Sequence, residues 1–123
     1  MKEELTGQVN GVSASDLEER FANALSKFRI GFWFQVPIRT EYTLPDNEKM
    51  LDFLVFNARR AWPVEIYGAY FHTSAGDKLK DAERERQLNV EFRERGWEDL
   101  TTVQEYEVFD QEQANNTVKR LFV

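Results

Sequence analysis

Two acids and an imidazole are the residues whose setting in this chain invites chemistry. Asp52 interrupts the apolar run from Leu51 to Phe56, Glu65 interrupts the run from Trp62 to Tyr67, and His72, the one histidine, follows shortly after. A carboxylate within an otherwise buried strand is costly to desolvate unless a metal ion or another cation meets it. Two such acids on consecutive strands point to a metal-dependent hydrolytic site. Hydrolysing a phosphodiester needs a divalent ion to offset phosphate charge, a base to deprotonate water and help for the leaving oxygen. Oxygen ligands suit Mg2+ or Mn2+. On this reading Asp52 and Glu65 are metal ligands and Glu18 reaches the ion through water. His72 is the general base, its ordinary pKa being close to neutral. Asp81 orients the histidine or a water, and Arg84 holds a phosphate.

The elements that must position these groups are legible in order. Residues 1–12 are polar, with two glycines and no apolar period, and read as a flexible arm; residues 13–123 read as one domain. Ser15-Asp16-Leu17-Glu18 fits a capping box, and Leu17, Phe21, Ala24, Leu25 and Phe28 then recur at helical spacing. Arg29 to Arg39 is aromatic and β-branched and reads as a strand, with Gln35 its one neutral polar residue. Leu44-Pro45-Asp46-Asn47 signals a turn, so Asp46 is a turn residue before it is a catalyst.

Leu51 to Phe56 and Trp62 to Tyr67 are strands joined by Asn57-Ala58-Arg59-Arg60. Alternation puts Asp52, Leu54 and Phe56 on one side of the first strand and Glu65 and Tyr67 on one side of the second. A helix runs from Asp77 to Arg95 and stops at Gly96, with Leu88 and Phe92 as core and Asp81 and Arg84 extending the same stripe. A strand over Leu100 to Phe109 and a short helix from Asp110 complete the order α-β-β-β-α-β-α. The expectation is an α/β domain with a mixed central β-sheet flanked by helices.

Composition bounds the function. No cysteine is present, which removes disulfides and thiolate metal sites. No secretory leader or apolar run of spanning length is visible, so the expectation is a soluble, cytoplasmic protein without a membrane partner. Sixteen Lys+Arg against 22 Asp+Glu give a net charge of −6. That balance counts against a general nucleic-acid coat but not against a nuclease that gathers acids around a divalent ion. Arg59, Arg60, Lys78 and Lys80 are then the candidate phosphate contacts.

The ordered set Glu18, Asp52-Phe53, Gly68 with His72 four residues on, Asp81, Arg84, Leu88 and Gly96-Trp97 resembles a known family. It is that of the very-short-patch-repair endonuclease-like branch of the PD-(D/E)XK nuclease superfamily, and of the related EDxHD homing endonucleases. The resemblance covers residues 15–108. It implies a restriction-endonuclease-like core and Mg2+-dependent DNA cleavage, with Asp52 as metal ligand, His72 as general base and Glu18 and Asp81 in support. Tyr67 stands where the superfamily's E-x-K lysine belongs; either His72 takes over that lysine's work or Lys78 or Lys80 migrates in. Whether Glu65 or the backbone carbonyl of Ile66 meets the metal stays open, because the branches align differently there.

The function expected is a DNA endonuclease of repair, homing or junction-resolving type, drawing specificity from loops, a homodimer or a partner protein. The competing expectation is a nuclease-fold domain that no longer cuts and serves as a binding or structural component of a larger phage or mobile-element assembly.

Overall fold

A computed structural model describes residues 4–38, 49–67 and 75–123, with only the backbone described at 49, 75–81 and 84. The turn around Asp46 and the segment holding His72 lie outside the described residues. A two-residue hairpin, β1 (Gln8–Val9) and β2 (Val12–Ser13), leads into helix α1 (Asp16–Lys27). Strands β3 (Gly31–Ile38), β4 (Lys49–Asn57) and β5 (Arg60–Tyr67) follow, then α2 (Ala75–Glu94), β6 (Thr101–Gln104), a 3-10 turn (Glu105–Val108) and α3 (Gln111–Phe122).

The expected arm is therefore folded from residue 4 onward. Buried Glu19 accounts for it: its carboxylate accepts from the backbone N–H of Thr6 at 2.8 Å and of Gly7 at 2.7 Å, and from the Thr6 hydroxyl at 3.0 Å. These donors, the Thr6 amide first, hold the Glu19 carboxyl below its ordinary value of 4.5 against the opposing effect of burial. Asn10-Gly11, left-handed at φ +50° and +81° between the paired Val9 and Val12, is the local signal for this hairpin, and Glu19, later in the chain, ties it to α1.

Strands β3, β4, β5 and β6 form one mixed sheet in that order, antiparallel except for the parallel β5–β6 pair. A parallel neighbour needs a crossover connection, and α2 supplies it. Pro63 is tolerated within β5 because β6 begins only opposite Val64, and the missing N–H belongs to an uncovered stretch.

Helices cover both faces. On one, Phe21, Ala24 and Leu25 of α1 and Ala114 and Val118 of α3 pack on Phe53, Val55 and Val64. On the other, Leu88 and Phe92 of α2 pack on Ile38, Leu51 and Leu54. Phe53 sits at the centre of the first layer, ringed by Phe21, Phe32 and Phe34 at 5.0, 5.5 and 5.1 Å between ring centroids.

The helix ends follow their caps. Ser15 Oγ accepts from the Glu18 N–H, and Glu18 Oε1 accepts from the Ser15 N–H at 2.9 Å, which completes the capping box. At the end of α2 Gly96 adopts φ +78°, so that Trp97 N–H reaches the Phe92 carbonyl and Gly96 N–H the Arg93 carbonyl. The Trp97 ring then stacks on Phe92 at 5.8 Å, the apolar contact that accompanies this kind of stop. The last strand is shorter than its sequence pattern: after Gln104 the chain turns 3-10, and the Thr117 hydroxyl holds the Glu107 carbonyl at 2.7 Å.

Candidate functional site

The β4–β5 register is the determinant. The ladder pairs Asn57 with Arg60, Phe56 with Ala61, Val55 with Trp62, Leu54 with Pro63 and Phe53 with Val64, and there it stops. One step further along, the opposed residues are Asp52 and Glu65. Val64 and Ile66 point into the α1/α3 layer, so alternation turns Glu65 to the α2 side, where it is buried to 4% exposure.

Where the ladder parts, the Ile66 N–H faces no β4 carbonyl; the Asp52 carboxylate accepts it instead, Oδ2 to N at 2.8 Å. The N–H and C=O of one strand residue point to the same side, so the Ile66 carbonyl faces the same gap. Two carboxylates and one carbonyl thus border the opening between β4 and β5.

A change of face across two strands produces that opening. Phe34 pairs with Phe53 in the α1/α3 layer, whereas Val36 pairs with Leu51 in the α2 layer. Between them Gln35 stands opposite Asp52 with φ +54°. A left-handed backbone at a residue other than glycine costs roughly 1–2 kcal/mol, and here it accompanies the side chains' transfer from one layer to the other. The sequence marks Gln35 only as a polar residue in an apolar strand; its position opposite Asp52 requires the partner strand.

Other expected site residues fall elsewhere. Glu18 is the cap of α1, and α1 packs on the face opposite to Glu65; the capping role is the one observed. Arg59 and Arg60 lie at the far end of the hairpin. Five residues separate Arg60 from Glu65, about 17 Å at strand rise, so neither arginine can hold a phosphate that touches the Asp52–Glu65 pair. Both line a groove of about 550 Å³ with Arg29, Phe56 and Trp97.

Asp81, Arg84, Lys78 and Lys80 belong to the first half of α2, where only the backbone is described. Among the described residues no group of three or more His, Cys, Asp or Glu side chains converges, so the pair stands there as two carboxylates. Nor, among those residues, is any helix long and apolar enough to cross a membrane. Compared with protein-family models, curated proteins and solved structures, the chain finds no match.

Proposed function

We propose that this protein is a Mg2+-dependent DNA endonuclease whose site is the gap between Asp52 and Glu65. The observation that carries the reading is the parted ladder: an acid from each strand, with the Ile66 carbonyl, at the point where the β4–β5 pairing ends. Oxygen donors of this kind fit a hard divalent ion, which takes one or two carboxylates and keeps several waters. The α-β-β-β-α-β-α order and the mixed sheet between helices are compatible with the restriction-endonuclease-like core that the sequence resembles.

In this reading Asp52, Glu65 and the Ile66 carbonyl hold the ion, which when bound offsets phosphate charge and makes water more acidic. The Ile66 N–H fixes the Asp52 carboxylate, so one oxygen is oriented before any ligand arrives. His72 takes the proton of the attacking water, Asp81 orients that imidazole and Arg84 meets a phosphate oxygen.

Tyr67 supports a second reading. It shares the Glu65 face of β5 at the place of the superfamily's lysine, as expected of a nuclease fold that binds without cutting.

Nicking of supercoiled plasmid with Mg2+ or Mn2+ separates the two. The endonuclease reading expects cleavage by the wild type and none by Asp52→Asn or His72→Ala. Asparagine keeps an oxygen for the Ile66 N–H while removing the charge, so a folded, inactive Asp52→Asn isolates the ion's contribution. Cleavage that persists in Asp52→Asn ends the enzyme reading. A wild type that binds DNA but never cuts it leaves the second.

A further inference from the structure

The hairpin end of β4 and β5 carries an exposed feature that the cleavage reading leaves unused. Trp33 of β3 is 59% exposed and Phe56 of β4 is 36% exposed, an unusual setting for two large aromatic rings on one sheet face. Their centroids lie 4.9 Å apart with planes at 76°. Both stand on the α2 side of the sheet: Trp33 pairs across the strands with Leu54, and Phe56 with Ala61, both of which belong to the α2 layer.

Phe56 also lines the groove of about 550 Å³ that Arg29, Arg59 and Arg60 border, with Trp97 on its wall. Arg60 meets Glu98 at 3.4 Å in an exposed pair that a phosphate can replace at small cost. Arg29 and Arg59 form no ion pair among the described residues. In a chain of net charge −6, three guanidinium groups around one groove make a local anion site.

We infer that this ledge binds an unpaired nucleotide segment of a DNA strand, one base stacking on the Trp33 ring, which Phe56 buttresses edge-on, while Arg29, Arg59 and Arg60 take its phosphates. Planar guanidinium groups match phosphate geometry, and an open ring face accepts any base that has left its own stack. Within a duplex the bases present no face, so the ledge selects single-stranded, flapped or unpaired DNA. It rests on the nucleic-acid reading of the Asp52–Glu65 gap and names the substrate class for it. The arginine end of the ledge lies about 17 Å along β5 from Glu65, about five nucleotide steps at the 3.4 Å duplex spacing, and Trp33, level with Pro63, lies between the two. A junction between paired and unpaired DNA fits that separation.

The test measures binding without cleavage. Fluorescence anisotropy of labelled oligothymidylate and of a blunt duplex is followed with the full chain in EDTA, alongside Trp33→Ala, Arg59→Ala and Asp52→Asn. The wild type is expected to hold the single strand more tightly than the duplex. Trp33→Ala should lose about tenfold of that affinity, within the range for one stacked base. Arg59→Ala should lower the salt dependence by about 0.7 in log–log slope, the value for one phosphate contact on a single strand. Circular dichroism of each variant shows whether the fold is kept.

Equal affinity of wild type, Trp33→Ala and Arg59→Ala for the single strand overturns the inference. So does a preference for duplex, or binding only to anionic lipid vesicles. Asp52→Asn keeps the ledge intact, so strand binding that survives in this variant while plasmid nicking is absent even in the wild type sinks the endonuclease reading alone.

Discussion

The two ends of the β4–β5 hairpin solve the same backbone problem in opposite ways. At the turn end the ladder runs to its last possible pair, Asn57 with Arg60, and closes through Ala58 and Arg59 at φ +52° and +63°. At the open end it stops at Phe53–Val64, and a side chain accepts the N–H that a neighbouring strand leaves over. The first end accepts left-handed backbone so that the ladder runs through to Asn57 and Arg60. The second spends pairing to bring acids into a sheet. A buried N–H must find an acceptor, and when that acceptor is a carboxylate the break in the ladder marks a place for chemistry.

Breaking the boundary between the two ends should have the largest effect. Phe53 is the last paired residue and is fully buried under three other phenylalanines. Phe53→Ala is expected to destabilise the fold by about 3–5 kcal/mol, read from the denaturation midpoint at unchanged slope.

At the open end, Asp52→Ala removes the acceptor of the Ile66 N–H and should cost about 1–3 kcal/mol. Asp52→Asn should cost clearly less, because an oxygen stays in place. Equal losses in the two variants, measured by urea unfolding, would show that the charge rather than the hydrogen bond holds the strands.

The turn end offers a gain instead. Two consecutive left-handed residues suit Asn-Gly far better than Ala-Arg. Ala58→Asn with Arg59→Gly should raise stability by about 0.5–1 kcal/mol. The same double variant should weaken oligonucleotide binding at the ledge, so stability and binding move in opposite directions.

The smallest expected effect lies outside the hairpin, at Glu19. Its folded pKa is depressed by the Thr6 and Gly7 amides, so its contribution is fully present above about pH 4.5 and fades as pH falls through the lowered folded value. Protection of the Thr6 and Gly7 amides, taken relative to the intrinsic exchange rate at each pH, should fall on acidification within that window, and Glu19→Gln should make that protection insensitive to pH there. Such a loop-anchoring contact bears on local opening more than on global unfolding.

Local pattern made the helices and strands legible. Ser15 and Glu18 lie three residues apart and cap one another wherever the chain goes. Gly96 stops α2 because its left-handed backbone suits glycine. Alternation assigned Val64 and Ile66 to one face and Glu65 to the other before any partner strand was known. The features that escaped were relations between distant segments. Glu19 gathers amides 12 and 13 residues before it, which no periodicity records. The alternation after Gln104 resembles strand, yet Thr117 from α3 draws the Glu107 carbonyl into a 3-10 turn.

The sequence by itself determined which residues carry acid, where the helices begin and end, and that two acidic strands adjoin through a short turn. Those properties depend on neighbours a few bonds away, within reach of capping, φ preference and side-chain alternation. Tertiary structure alone decided that the ladder ends one step before Asp52 meets Glu65, that Gln35 turns over opposite them, that Arg59 and Arg60 share a groove with Phe56 at the far end, and that Phe56 meets Trp33 of the neighbouring strand. Register between strands is a choice among near-equal pairings, and the packing of α1, α3 and α2 on the two faces makes it.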